Sequence, residues 1–328
     1  MSTLTNLLVS SPSTGYVRPF DVRRDLLPVA DLVEQCFADT LDPDGERYLQ
    51  QMRSAAHNPG FLRWAAMASE WASVPLSGYV WEENGRLIGN ASLIPYMMSG
   101  RRRFLIANVA VHPDYRRRGV ARSLTVKAMD HALRRGAQSI WLHVRENNDP
   151  AVNLYLSLGF VERARRTTWY STREIPYGAS TPGVVLRPRP PRHWDAQRAW
   201  LKQTYPPDLT WHLPLNLNAL RPGLLGALQR LLSSTYIYQW SAQRNDHLLG
   251  VLTWQSNSTN ANNLWLAAAP GSDELAAHAL LLHARQNLSP RRQMILDYPA
   301  HQCSEVIQAA GFYAHQTLIW MEVSFRPG

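Results

Sequence analysis

Ala110-Val111-His112-Pro113-Asp114-Tyr115-Arg116-Arg117-Arg118-Gly119-Val120-Ala121-Arg122-Ser123 reads as the end of a strand, a tight basic loop and the start of a helix. The first N–H groups of a helix have no intrahelical partner and lie at the positive end of its dipole, so an anion satisfies both conditions at once. Gly119 and the small Ala121 let phosphate oxygens reach the main chain without a side chain in the way. The stretch is therefore built to hold a pyrophosphate, and the elements around it should form an α/β layer that presents a helix start to a ligand.

Working outward, periodicity predicts a strand over 16–22, a helix over 26–37 and a helical region over 45–56 that extends through 61–69. Strands follow at 78–83, 87–97 and 104–111, the first two joined by the hairpin pair Asn84-Gly85. The helix that the loop opens runs over 119–135 and is closed by Gly136. A strand over 139–144, a helix over 150–158 and a final antiparallel strand region over 160–173 complete this half. Residues 1–15 read as a flexible terminus, 16–175 as the first domain, 176–183 as a linker on its Pro and Gly content, and 184–328 as a second domain.

That second domain repeats the plan of the first. Val17-Arg18-Pro19 is echoed by Leu186-Arg187-Pro188, Leu87-Ile88-Gly89 by Leu248-Leu249-Gly250, and Leu158-Gly159-Phe160 by Ala310-Gly311-Phe312, in the same order. Its basic loop is missing. The corresponding turn, Ala269-Pro270-Gly271-Ser272-Asp273-Glu274, has two carboxylates where a phosphate would sit, so this copy reads as one that has lost its ligand.

Arg116, Gly119 and Ala121 fit the Arg/Gln-x-x-Gly-x-Gly/Ala signature of the GNAT superfamily of acyl-CoA N-acyltransferases, which the chain resembles. Val144, Asn148, Ala151, Leu154-Tyr155 and Gly159-Phe160 follow that family's second motif, in the right order. The resemblance implies two tandem GNAT-like domains of the α/β (α+β) class, each a mixed, mostly antiparallel sheet flanked by helices. It implies acetyl-CoA as co-substrate and a primary amine, in a small molecule or at a peptide N-terminus, as acceptor. Val109 and Val111 would offer strand backbone groups to the acetyl and pantetheine portions. Arg116, Arg117, Arg118, Gly119, Val120, Ala121 and Arg122 would hold the pyrophosphate, and Asn148 would bond the pantetheine arm. The second domain would stabilise the first, form a homodimer or wall off the acceptor.

Acetyl transfer needs a neutral amine and a proton for the departing thiolate. Tyr155, at the motif position, is the candidate acid and also borders the cofactor. His143 stands where the ribosomal-protein N-terminal acetyltransferases of this superfamily carry a glutamate, and a neutral imidazole there can accept the amine's proton. A strand histidine is as often a purely structural residue; Asn108, Glu146 and an ordered water are the other bases on offer.

Composition limits the remaining choices. The chain has 328 residues, enough for two cores, and is 45% hydrophobic and 18% charged, as ordinary globular proteins are. Cys36 and Cys303 are the only cysteines, and no metal-ligand spacing is present. No apolar run is long enough to span a bilayer and no basic leader precedes Leu7, so a cytoplasmic location is expected. A net charge of +9 suits a phosphorylated partner. An acyl-CoA sensor or a nucleic-acid binder using the arginines is the alternative class, with nucleic acid the less favoured of these partners.

Overall fold

In a computed structural model of the chain, the side chain of Asp21 accepts the Arg23 N–H and starts helix α1 (Val22–Phe37), whose buried Val22, Leu26, Val29 and Val33 lie on one face. Residues 15–38, 43–68, 76–98, 100–175, 180–210, 213–233, 236–256, 261–289 and 292–325 are described. They divide into two units. One takes the described residues within Met1–His143, Asp149–Val161 and Met321–Gly328; the other takes Val144–Asn148 and those within Glu162–Trp320.

In the first unit α1 is followed by α2 (Pro43–Ala56) and α3 (Pro59–Ala68). Strands β1 (Tyr16–Pro19), β2 (Ser77–Glu83), β3 (Arg86–Met98) and β4 (Arg101–Val111) pair antiparallel in that order, and β5 (Ser139–Arg145) adds parallel to β4. Helix α1 packs on β3 and β4, as does α4 (Val120–Arg134). Val80 and Ala110 face α1 in a core with Leu26, Val29 and Leu49, whereas Gly89 meets Val120 and Leu124 of α4. A Cβ at Gly89 would fall 2.8 Å from Val120 Cγ1, so glycine lets α4 approach the sheet and sets the height of the basic loop. Helix α5 (Asp149–Ser157) follows β5 in sequence.

The second unit has the same antiparallel run, β7 (Val185–Pro188), β8 (Ile237–Arg244), β9 (His247–Ser256) and β10 (Ala261–Ala268), with β11 (Gln293–Pro299) parallel to β10. Its helices are α6 (Trp194–Thr204), the single turns α7 (Pro207–Thr210) and α8 (Leu217–Leu220), α9 (Leu224–Ser233), α10 (Asp273–Asn287) and α11 (Ser304–Ala309). Gly250 plays the part of Gly89, since a Cβ there would meet Ala276 of α10 at 2.8 Å. The echo between the two Leu-x-Gly triplets is thus a packing requirement met twice.

Strand β6 (Val161–Ser171) departs from the sequence reading. Residues 160–173, expected to close the first domain, pair antiparallel with β11, from Ile295 opposite Tyr170 to Pro299 opposite Arg166. Trp169 joins the second unit's core, and Arg166 is buried against Asp297. The last strand, β12 (Phe312–Ser324), contributes its residues up to Trp320 to the second unit, where the Thr317 and Thr167 hydroxyls meet at 2.9 Å. From Met321 onward the chain belongs to the first unit, where the Phe325 N–H bonds the Gln138 carbonyl at 2.7 Å. Hydrophobic alternation marks a strand but not its neighbour, which is why the exchange was invisible in the sequence. Residues 1–14 and 176–179, expected as loose terminus and linker, lie outside the described residues.

Candidate functional site

Pairing of β4 with β5 runs from Arg103 opposite Ser139 to Ile106 opposite Leu142. Just beyond it β4 bulges: the register against β3 steps from Ala107 opposite Ser92 to Ala110 opposite Asn90. Asn108 supplies the bend with φ +51°, a left-handed conformation that asparagine tolerates better than most residues. Its carbonyl accepts from Nδ2 of the fully buried Asn90 at 2.9 Å, and its own Nδ2 donates to the hydroxyl of Tyr48 on α2 at 3.2 Å. Burial pushes the Tyr48 phenol up to about 12, although the hydrogen bond from Asn108 pulls it down. Val109 sits inside this bulge. The His112 N–H bonds the Ile88 carbonyl at 2.9 Å, which makes Gly89 and Val111 a non-hydrogen-bonded pair. The N–H and C=O of Val111 therefore point away from β3. That carbonyl is shared by Arg116 Nε at 3.2 Å and the Cys36 thiol at 3.3 Å. Burial raises the Cys36 pKa, against the pull of Arg116.

After β4 the chain makes one 3₁₀ turn, Pro113–Tyr115, held by the buried His112. Arg86 donates to His112 Nε2 at 2.9 Å, and the Asp114 N–H donates to its Nδ1 at 3.3 Å, so the ring ties the turn to β3 through both nitrogens. Arg117 (φ +67°) and Gly119 (φ +79°) are both left-handed, and such turns aim consecutive N–H groups into one concavity. Gly119 caps α4 without a side-chain hydrogen bond, no acidic residue occupies the first turn, and a Cβ on Gly119 would meet nothing within 4 Å. Arg116, Arg117, Arg118 and Arg122 are exposed, Ala121 is half-buried, and Val120 is anchored in the core. Two arginines are already oriented: Arg118 lies 3.6 Å from Glu83 and over the Tyr115 ring, and Arg122 donates to Ser157 Oγ at 2.6 Å.

Tyr155 on α5 is buried, edge-on to Phe160, and burial raises its phenol to about 12. His143 is half-buried on β5, one residue past the last pair with β4. Asn148 is exposed in a turn closed by its own N–H on the Arg145 carbonyl at 3.0 Å, and belongs to the segment counted with the second unit. In that same unit Glu146 is held by Arg165 at 2.5 Å and His301 at 3.2 Å. Burial raises its pKa, but those two partners outweigh it and the net shift is downward, so Glu146 is a poor base. The sequence reading missed Tyr48, Asn90 and His112. An asparagine late in a strand, Asn108, was the available signal for the bulge.

The second unit differs at each corresponding place. Strands β9 and β10 pair without a bulge, from Ser256 opposite Asn262 to Gly250 opposite Ala268. Helix α10 opens with Asp273 and Glu274, beside a 710 Å³ cavity also lined by Thr181 and His278. By the register of the parallel pairs Asp297 stands where His143 does, and it is bound to Arg166, whose Nη1 also donates to the Thr204 carbonyl at 2.8 Å. Counted back from Gly311, Ile307 replaces Tyr155.

Residues 34–160 match the model of the acetyltransferase (GNAT) family. That stretch is similar to a GNAT acetyltransferase domain. The [ribosomal protein bS18]-alanine N-acetyltransferase of Escherichia coli K12 is 43% identical over 67 residues, 20% of this chain and 45% of that one. The mycothiol acetyltransferase of Thermobifida fusca is 46% identical over 52 residues, 16% of each chain. The chain thus spans less than half the length of these relatives. A GCN5-related N-acetyltransferase from Sphaerobacter thermophilus superposes over 96% of both chains at 15% identity with a TM-score of 0.57, which shows that the GNAT fold extends through both units. GNAT acetyltransferases use acetyl-CoA as co-substrate. No helix among the described residues is long and apolar enough to cross a membrane.

Proposed function

We propose that the chain is an N-acetyltransferase that moves an acetyl group from acetyl-CoA to a primary amine by direct attack in a ternary complex. The observation that carries this reading is the uncapped start of α4, with left-handed Arg117 and Gly119, four exposed arginines and open space above Gly119. These features suit the diphosphate of a CoA thioester. The main-chain groups of Val109 and Val111, at the end of β4 past its pairing with β5, suit the pantetheine and acyl portions. Asn148 is assigned to the pantetheine arm on its motif position alone.

In the reaction His143, directly or through water, takes the proton that keeps the amine unreactive, since a free alkylamine has a pKa of about 10.4. The amine nitrogen attacks the thioester carbonyl, the C–S bond breaks, and the products are the N-acetyl amide and free CoA. Tyr155, at about 12, keeps its proton at neutral pH, whereas a thiol of the CoA type ionises near 8.5. The phenol therefore serves first as a hydrogen-bond donor that stabilises the leaving sulfur. Its proton then passes to that sulfur, and the phenol is restored by the proton that the acylated nitrogen gives up.

Both a peptide α-amine and a small-molecule amine suit the proposal, as the bS18-alanine and mycothiol enzymes are named for acceptors of these two kinds. The test is to incubate the full chain with acetyl-CoA and a panel of alanine-terminated peptides and small amines. Free CoA release and an acetylated product by mass spectrometry are expected. Tight, salt-sensitive RNA or DNA binding unaffected by acetyl-CoA, with no CoA release, would support the nucleic-acid reading instead.

A further inference from the structure

The bulge of β4 is gripped from two sides. Asn90 of β3 holds the Asn108 carbonyl, and Tyr48 of α2 accepts from the Asn108 amide at 3.2 Å. Neither contact involves the phosphate-binding loop. Tyr48 packs its ring against the core beside α1, so its hydroxyl is fixed by the fold and not by ligand. The corresponding strand of the second unit has neither bulge nor left-handed residue, which ties this three-residue arrangement to the unit that keeps the basic loop.

We infer that Tyr48 is a positioning residue: through Asn108 it fixes the backbone of the β4 bulge against which the acyl group, and not the rest of the cofactor, is placed. The inference rests on the proposed function. It follows from order along the strand, because Asn108 directly precedes Val109, whereas the diphosphate grip begins at Arg116. Loosening Asn108 should disturb the thioester end and leave the nucleotide end alone. The bond is one neutral contact, normally worth about 1 kcal/mol or roughly fivefold in an equilibrium.

Calorimetry on the full chain with acetyl-CoA and, separately, with free CoA tests this. In Tyr48→Phe, which keeps the ring, CoA affinity should stay within twofold of the parent. The ratio of acetyl-CoA to CoA affinity should fall about three- to tenfold, with kcat falling alongside. Asn108→Gly, which tolerates the left-handed conformation but lacks the amide, should give the same split, and the double variant should be no worse than either single one. Equal weakening of both ligands would mark Tyr48 as merely structural and overturn the inference, as would an unchanged ratio in both variants. Failure of the parent to bind either ligand would sink the proposed function itself.

Discussion

Asn90 donates its side-chain amide to the carbonyl of Asn108 at 2.9 Å and so holds the left-handed residue of β4 from the neighbouring strand. Asn90 is fully buried. Replacing it with alanine leaves the Asn108 carbonyl without this donor and should cost about 1–3 kcal/mol in denaturant unfolding. A loss near zero would show that the bulge needs no support from β3.

Arg118 and Arg122 are already turned by Glu83 and Ser157. Alanine at either position should weaken CoA binding about tenfold at low ionic strength, within the range of charge-assisted hydrogen bonds. Because these side chains are exposed, the difference should shrink as salt is added. Isothermal titration at two salt concentrations checks both statements.

Tyr155→Phe should lower turnover at least tenfold while CoA affinity stays within twofold, measured by steady-state kinetics and calorimetry. The buried phenol also predicts a pH effect on stability. Its folded pKa, about 12, exceeds the unfolded value of about 10, so its contribution is intact below pH 10 and is lost as pH rises towards 12. The loss amounts to about 3 kcal/mol at most, and Tyr155→Phe should flatten that part of the alkaline unfolding curve. The parent's activity between pH 6 and 9, in round numbers, should show no limb from this phenol.

Gly89→Ala and Gly250→Ala should each destabilise the chain by about 1–3 kcal/mol, because each new methyl overlaps a helix. Their ligand phenotypes should differ. Pushing on Val120 displaces the basic loop and weakens CoA binding, whereas pushing on Ala276 acts in the unit whose helix start is acidic. Thermal unfolding and CoA titration of both variants separate the cases.

Removing one member of the Arg166–Asp297 pair should be worse than removing both. Arg166 is buried, and burial pushes the Asp297 carboxyl up even against the arginine's pull. Arg166→Met leaves a stranded acid and should cost about 3–5 kcal/mol, while Arg166→Met with Asp297→Leu should recover most of it. A double-mutant cycle in urea measures the coupling.

Local signals carried much of this in the sequence. Asn84-Gly85 placed the first hairpin, Gly136 closed α4, and Arg116 to Arg122 announced a basic helix start with no side-chain cap. The helix expected over 26–37 begins instead at Val22, where the strand expected over 16–22 stops at Pro19 and Asp21 caps the helix. The single turns α7 and α8 are too short to show a period. Tyr48 and Asn90 escaped notice because their importance lies in contacts with Asn108, and pairings between distant residues leave no local pattern.

The strand exchange bears on how the protein is made. Phe325 supplies a backbone bond to Gln138, so a ribosome that has delivered residues through 175 has released an amino-terminal lobe still short of that partner. Trp169, already translated, would meanwhile wait with no core to enter. The two lobes cannot mature one after the other during synthesis, because both draw on the same late strand, Phe312–Ser324, and on the Phe325 that follows it.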